Sequence, residues 1–114
     1  MMSEQSSEKR SDEIVEYFSA RVRQILGTTV VGVYWFGSRV RERDKPDSDY
    51  DILLETTSVL SEEQRDAVAD LAIDIVAEHS VLLDIHYYTS DEITRPPFSR
   101  SPFVHAVLEE GVRL

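Results

Sequence analysis

Residues 37–51 read GSRVRERDKPDSDYD, a polar, turn-forming stretch set between the apolar runs TTVVGVYWF at 28–36 and ILLET at 52–56. The first run is β-branched and aromatic and nearly continuous in apolarity, which predicts a strand covered on both faces. YDILLET, residues 50–56, predicts a second strand. The segment between them, polar and turn-forming, is a functional loop or a disordered one.

Outward from this loop the periodicity changes. Before it, Ile14, Val15, Phe18, Val22, Ile25 and Leu26 recur every three or four residues, which predicts an amphipathic helix over 12–26 with Gly27 as its stop. After it, Gln64, Val68, Leu71 and Ile75 share one face of a helix over 61–79. Ser61 and Gln64 fit a capping box, worth on the order of 1 kcal/mol. VLLDIHYYT at 81–89 predicts a third strand, and TSDEITRPPFSR at 89–100, with Pro96 and Pro97, reads as a loop. Ser101 as N-cap, Pro102 at the first helical position and Gly111 as stop predict a short closing helix. The expected order is α-β-β-α-β-α in one α+β domain over 12–114, preceded by a polar, flexible terminus at 1–11.

Composition narrows the function classes. A length of 114 residues suits one compact core that removes roughly two thirds of the unfolded chain's surface from water. No apolar run is long enough to span a membrane, and MMSEQSSEKR lacks the apolar stretch of a secretory signal, so a cytoplasmic location is expected. With no cysteine, disulfides, thiolate metal sites and cysteine nucleophiles are excluded. A net charge of −10 repels a phosphate backbone, so long nucleic acid is not an expected partner.

Within the loop, Gly37 permits close backbone approach to a ligand and Ser38 adds a hydroxyl beside its N–H, a pair that can cradle a phosphate. The same dipeptide also serves as a simple turn. Asp49 and Asp51 are one residue apart at the start of a strand, so both carboxylates face one side while Tyr50 and Ile52 face the other. Asp84 is a charge inside an apolar strand, which is costly without a partner or a cation. If the strands are neighbours, three carboxylates converge, and each pair about 4 Å apart repels by roughly 4 kcal/mol at an effective dielectric of 20. Either the cluster binds cations or one acid is protonated; hard oxygen ligands of this kind suit Mg²⁺. The alternatives are a solvated acidic pair at Asp49 and Asp51 and a salt bridge from Asp84 to Arg39 or Arg41.

Other motifs fail. DSDYDI begins like a calcium loop at Asp47, but Ile52 stands where glycine is required and Ser58 where the terminal glutamate belongs. No Gly-Lys-Ser/Thr follows Gly37, so there is no Walker A loop. His79, His86 and His105 show no metal-ligand spacing and read as surface or partly packed residues. Ser38 has no local histidine of the hydrolase kind.

Taken together, Gly37 and Ser38 after a strand, the loop arginines Arg39, Arg41 and Arg43, then Ser48, Asp49 and Asp51, and finally Asp84 resemble the minimal nucleotidyltransferase (MNT) domains of the DNA polymerase β superfamily. The likeness extends to SPFVHAVLEEGVRL, which resembles that family's closing helix and short strand. It implies a polymerase-β-like fold, a mixed sheet flanked by helices. It implies that Gly37, Ser38 and Ser48, with Arg39 and Arg41, hold ATP as substrate, that Asp49 and Asp51 bridge two Mg²⁺ ions, and that Asp84 is the third catalytic ligand. Members of this size resemble the antitoxin paired with a HEPN ribonuclease toxin, which implies transfer of AMP to a tyrosine of that toxin. Two other functions stay open: a catalytically silent MNT-fold protein that neutralises its partner by binding, and a transferase acting on a small molecule or an RNA end.

Overall fold

The computed structural model describes residues 2–36 and 50–114, with side chains from Glu13 onward. Helix α1 (Met2–Leu26) runs further toward the N-terminus than the periodicity predicts, over the polar residues before Asp12. Ile14, Val15, Phe18, Val22 and Leu26 are buried as expected, whereas Ile25 falls outside the apolar stripe and is exposed. Gly27 has φ of +59°, a left-handed conformation that L side chains rarely adopt, and it turns the chain through a 3₁₀ turn into strand β1 (Val30–Phe36).

Strand β2 (Tyr50–Thr56) pairs antiparallel with β1, Trp35 opposite Ile52 and Phe36 opposite Asp51. Helix α2 (Glu62–His79) then carries the chain back to strand β3 (Leu83–Thr89), which lies parallel to β2. The capping box is formed: Gln64 N–H donates to Ser61 Oγ at 3.1 Å and Ser61 N–H to Gln64 Oε1 at 2.8 Å. Two of the four free donors of the helix start are thereby satisfied.

The segment 89–100 is not a plain loop. It contains helix α3 (Ser90–Thr94) and a 3₁₀ turn at Phe98–Arg100. A second capping box explains the helix, with Glu92 N–H donating to Thr89 Oγ1 and Thr89 N–H to Glu92 Oε1, and burial of Ile93 pins it to the sheet. Helix α4 (Pro102–Glu110) starts on Ser101, whose Oγ accepts from Phe103 N–H at 3.2 Å. Gly111 is its extended C-cap, donating its N–H to the Val107 carbonyl oxygen, and a Cβ there would collide with that oxygen, so the position requires glycine. Strand β4 (Val112–Arg113) then pairs with β1.

The resulting sheet is mixed, in the order β3-β2-β1-β4, and both faces are covered. Val33, Trp35, Tyr50, Ile52 and Leu54 meet α1 and α2 on one face, while Leu53 meets Ile93, Val104 and Val107 on the other. This two-sided burial is the reason β1 and β2 read as continuous apolar runs rather than as alternating ones. Among the described residues, no helix is long and apolar enough to cross a membrane.

On the first face the Arg65 guanidinium of α2 sits 4.6 Å from the centre of the Tyr87 ring. Burial raises the Tyr87 phenol above its ordinary value of 10.0, and Arg65 partly opposes the shift. The folded chain therefore holds the phenolic proton more tightly than the unfolded chain. Its contribution to stability is complete below pH 10 and is lost as pH rises through the folded pKa. Thermal midpoints should fall between pH 9.5 and 11.5, roughly the titration range of a phenol, and Tyr87→Phe should fall less steeply. Equal slopes for the two proteins would refute this account of Tyr87.

Candidate active site

The parallel register of β2 and β3 sets Asp51 directly beside Asp84, and Tyr50 N–H donating to the Leu82 carbonyl at 2.8 Å fixes that register. Alternation does the rest. Tyr50 and Ile52 are wholly buried against α1 and α2, so Asp51 emerges on the face that carries α4. On β3 the same alternation sends Leu83, Ile85 and Tyr87 to the first core and Asp84 and His86 to the face of Asp51.

Asp51, Asp84 and His86 offer one ligand atom each, all within 4.8 Å of one another. His86 Nε2 lies 3.4 Å from Asp84 Oδ2 and 3.9 Å from Asp51 Oδ1. The side chains of Asp51 and His86 are half-buried, but that of Asp84 is 60% exposed, so the cluster opens to solvent along β3. Among the described residues β3 is an edge of the sheet, and nothing in the order of strands closes the site from that side. The apolar wall behind it consists of Phe36 from β1 and Phe103 from α4, packed edge-on with ring centres 5.2 Å apart.

Of the residues that the sequence singles out, Asp51 and Asp84 are thus neighbours on one face. Gly37, Ser38, Arg39, Arg41, Arg43, Ser48 and Asp49 lie outside the described residues, as do both arginines proposed as alternative partners of Asp84. His86 is the residue that spacing analysis passes over. Its signal was present: Asp84-x-His86 repeats on β3 the period-two logic of Asp49-x-Asp51 on β2, and the pair needed only the correct register to meet. His105 is exposed on α4.

Two carboxylates and an imidazole converging within one ion's reach are a donor set that fits a divalent cation. The open edge leaves room for further ligands from substrate or water. The fold and this geometry agree with what the sequence matches, for residues 12–114 fit the family of the nucleotidyltransferase domain. The chain belongs to that family. Among solved structures, this nucleotidyltransferase domain resembles a chain in the crystal structure of a mutant of the toxin–antitoxin MntA-HpeT. The TM-score is 0.55 at 17% identity, with 87% of this chain and 70% of that chain covered. At that identity the likeness is one of fold: a small α+β unit around a mixed sheet. No curated protein matches the chain.

Proposed function

We propose that this domain transfers AMP from ATP, with Mg²⁺, to a tyrosine hydroxyl of a cognate HEPN ribonuclease toxin, and that it acts as the antitoxin of the pair. The observation that carries the reading is the register that sets Asp51 beside Asp84 on an open strand edge, in a chain of the nucleotidyltransferase family. Asp49, Asp51 and Asp84 would hold the metal, which when bound stabilises developing phosphoryl charge and lowers the pKa of the attacking hydroxyl. Gly37, Ser38 and Ser48 hold the triphosphate, and Arg39 and Arg41 neutralise leaving-group charge. The acceptor oxygen bonds to the α-phosphorus, the bond from that phosphorus to the bridging oxygen breaks, pyrophosphate departs, and the hydroxyl proton is released to solvent.

The working unit in this reading is residues 12–114, in the cytoplasm. Support for a toxin as acceptor comes from the structural neighbour, itself part of a toxin–antitoxin pair. A net charge of −10 also steers the domain toward a basic partner, and a ribonuclease that holds RNA is one.

Binding of ATP and Mg²⁺ to the native state alone adds RT ln(1 + [L]/Kd), about 1.4 kcal/mol at ten times Kd. For a domain of this size that is an increase of roughly 6 °C in thermal midpoint. Differential scanning fluorimetry with millimolar ATP and Mg²⁺, or Mn²⁺, should show it. A midpoint that does not move with nucleotide and metal together would remove the basis for an active site here.

A further inference from the structure

His86 sits where the reading of Asp51 and Asp84 leaves a gap, and its position is set by groups other than those acids. Its ring packs against Phe36, centroids 5.5 Å apart at 55°, and against Phe103 at 5.1 Å and 49°. Those aromatic neighbours come from β1 and α4, so three separate elements fix the imidazole plane and aim Nε2 at the two carboxylates. Neither resulting contact is a good hydrogen bond: 3.4 Å to Asp84 Oδ2 and 3.9 Å to Asp51 Oδ1 both exceed the usual N–H···O range of about 2.7–3.2 Å.

The same distances are natural for donors around a shared ion. Ligands about 2.1 Å from an octahedral centre are about 3.0 Å apart when adjacent and about 4.2 Å when opposite. The two Nε2 separations, 3.4 and 3.9 Å, lie between these values, so a shift of a few tenths of an ångström, on the order of a side-chain adjustment, brings the donors to octahedral positions.

We propose that His86 is a further protein ligand of the divalent ion held by Asp51 and Asp84, and that its imidazole makes the site favour a first-row transition ion such as Mn²⁺ over Mg²⁺. The inference rests on the reading of Asp51 and Asp84 as metal ligands given above. Its chemical basis is that Mg²⁺ selects oxygen and keeps its waters, whereas the first-row transition ions accept imidazole, Mn²⁺ the most weakly of the series. The alternative role for His86 is a counter-charge, an imidazolium that eases repulsion between the two carboxylates and leaves when a metal arrives.

The two roles separate on Mn²⁺ binding itself. The full chain is titrated with Mn²⁺, the free ion is followed by its EPR signal, and Mg²⁺ is added as competitor. Pulsed EPR of the Mn²⁺-loaded wild type reads ¹⁴N coupling from any ligating imidazole. His86→Phe keeps a ring against Phe36 and Phe103 but removes the donor. The expected results are ¹⁴N modulation in the wild type, a loss of Mn²⁺ affinity of about tenfold or more in His86→Phe, and a Mg²⁺ affinity changed by less than about twofold. Mn²⁺ bound without ¹⁴N coupling, or bound equally or more tightly by the variant, overturns the ligand role while leaving Asp51 and Asp84 in place. A wild type that binds neither ion overturns the underlying site and this inference with it. Should His86→Phe fail to fold, the ¹⁴N signal of the wild type decides alone.

Discussion

Asp84→Asn and Asp51→Asn are each expected to leave a folded domain in which nucleotidyl transfer is lost by at least about a hundredfold. The magnitude follows from comparison with outer-shell partners, whose loss typically costs 10–100-fold in metal affinity or activity, so removal of a direct ligand should exceed that. Asparagine keeps the shape of each side chain and one oxygen but removes the charge that, in the proposed site, would hold a cation. Folding should tolerate the change. Asp84 is 60% exposed and Asp51 only half-buried, and each substitution relieves repulsion between neighbouring carboxylates. Stability without metal is therefore expected to be unchanged or higher, measured by urea denaturation, while release of pyrophosphate from ATP in the presence of acceptor reports the activity. An Asp84→Asn protein that unfolds would make Asp84 a structural residue, and one that remains fully active would take it out of the site.

The elements that sequence reading recovers best are those whose signals are local. Helix α2 follows from the Ser61–Gln64 box and the stripe Val68, Leu71 and Ile75, all three buried. Helix α4 follows from Ser101, Pro102 and Gly111. Helix α3 is equally local in origin, for Thr89 and Glu92 stand in the same box, but Pro96 and Pro97 give the stretch 89–100 the signature of a loop. Strand β4 has two residues and no periodicity of its own, and only the family resemblance suggested it. Its pairing with β1 at Tyr34 and Trp35 is a long-range event.

Legibility of the site divides along the same line. That Asp51 faces away from Tyr50 and Ile52 is a consequence of strand alternation and needs no tertiary knowledge. That it stands beside Asp84 depends on how α2 returns the chain to the sheet, a register no local spacing encodes. His86 was lost for that reason: its nearest ligand-type neighbours in space are one residue on its own strand and one 35 positions earlier. Ile25 errs in the opposite sense, since helical spacing placed it on the apolar face and packing left it at the margin.

The most direct test of the central claim is the intact mass of the acceptor. The sheet edge at β3 leaves Asp84 largely open, so an acceptor hydroxyl can be presented from outside by another macromolecule that completes the pocket. The domain, purified with the toxin that the proposed function assigns to it and incubated with ATP and Mg²⁺, should add about 329 Da to that toxin for each AMP transferred, the increment left after pyrophosphate departs. The modified toxin should lose its ribonuclease activity, and Asp84→Asn should leave the mass unchanged. A toxin that stays at its unmodified mass while held in a stable, inhibited complex would contradict transfer and make this domain a silent binding partner with the nucleotidyltransferase fold.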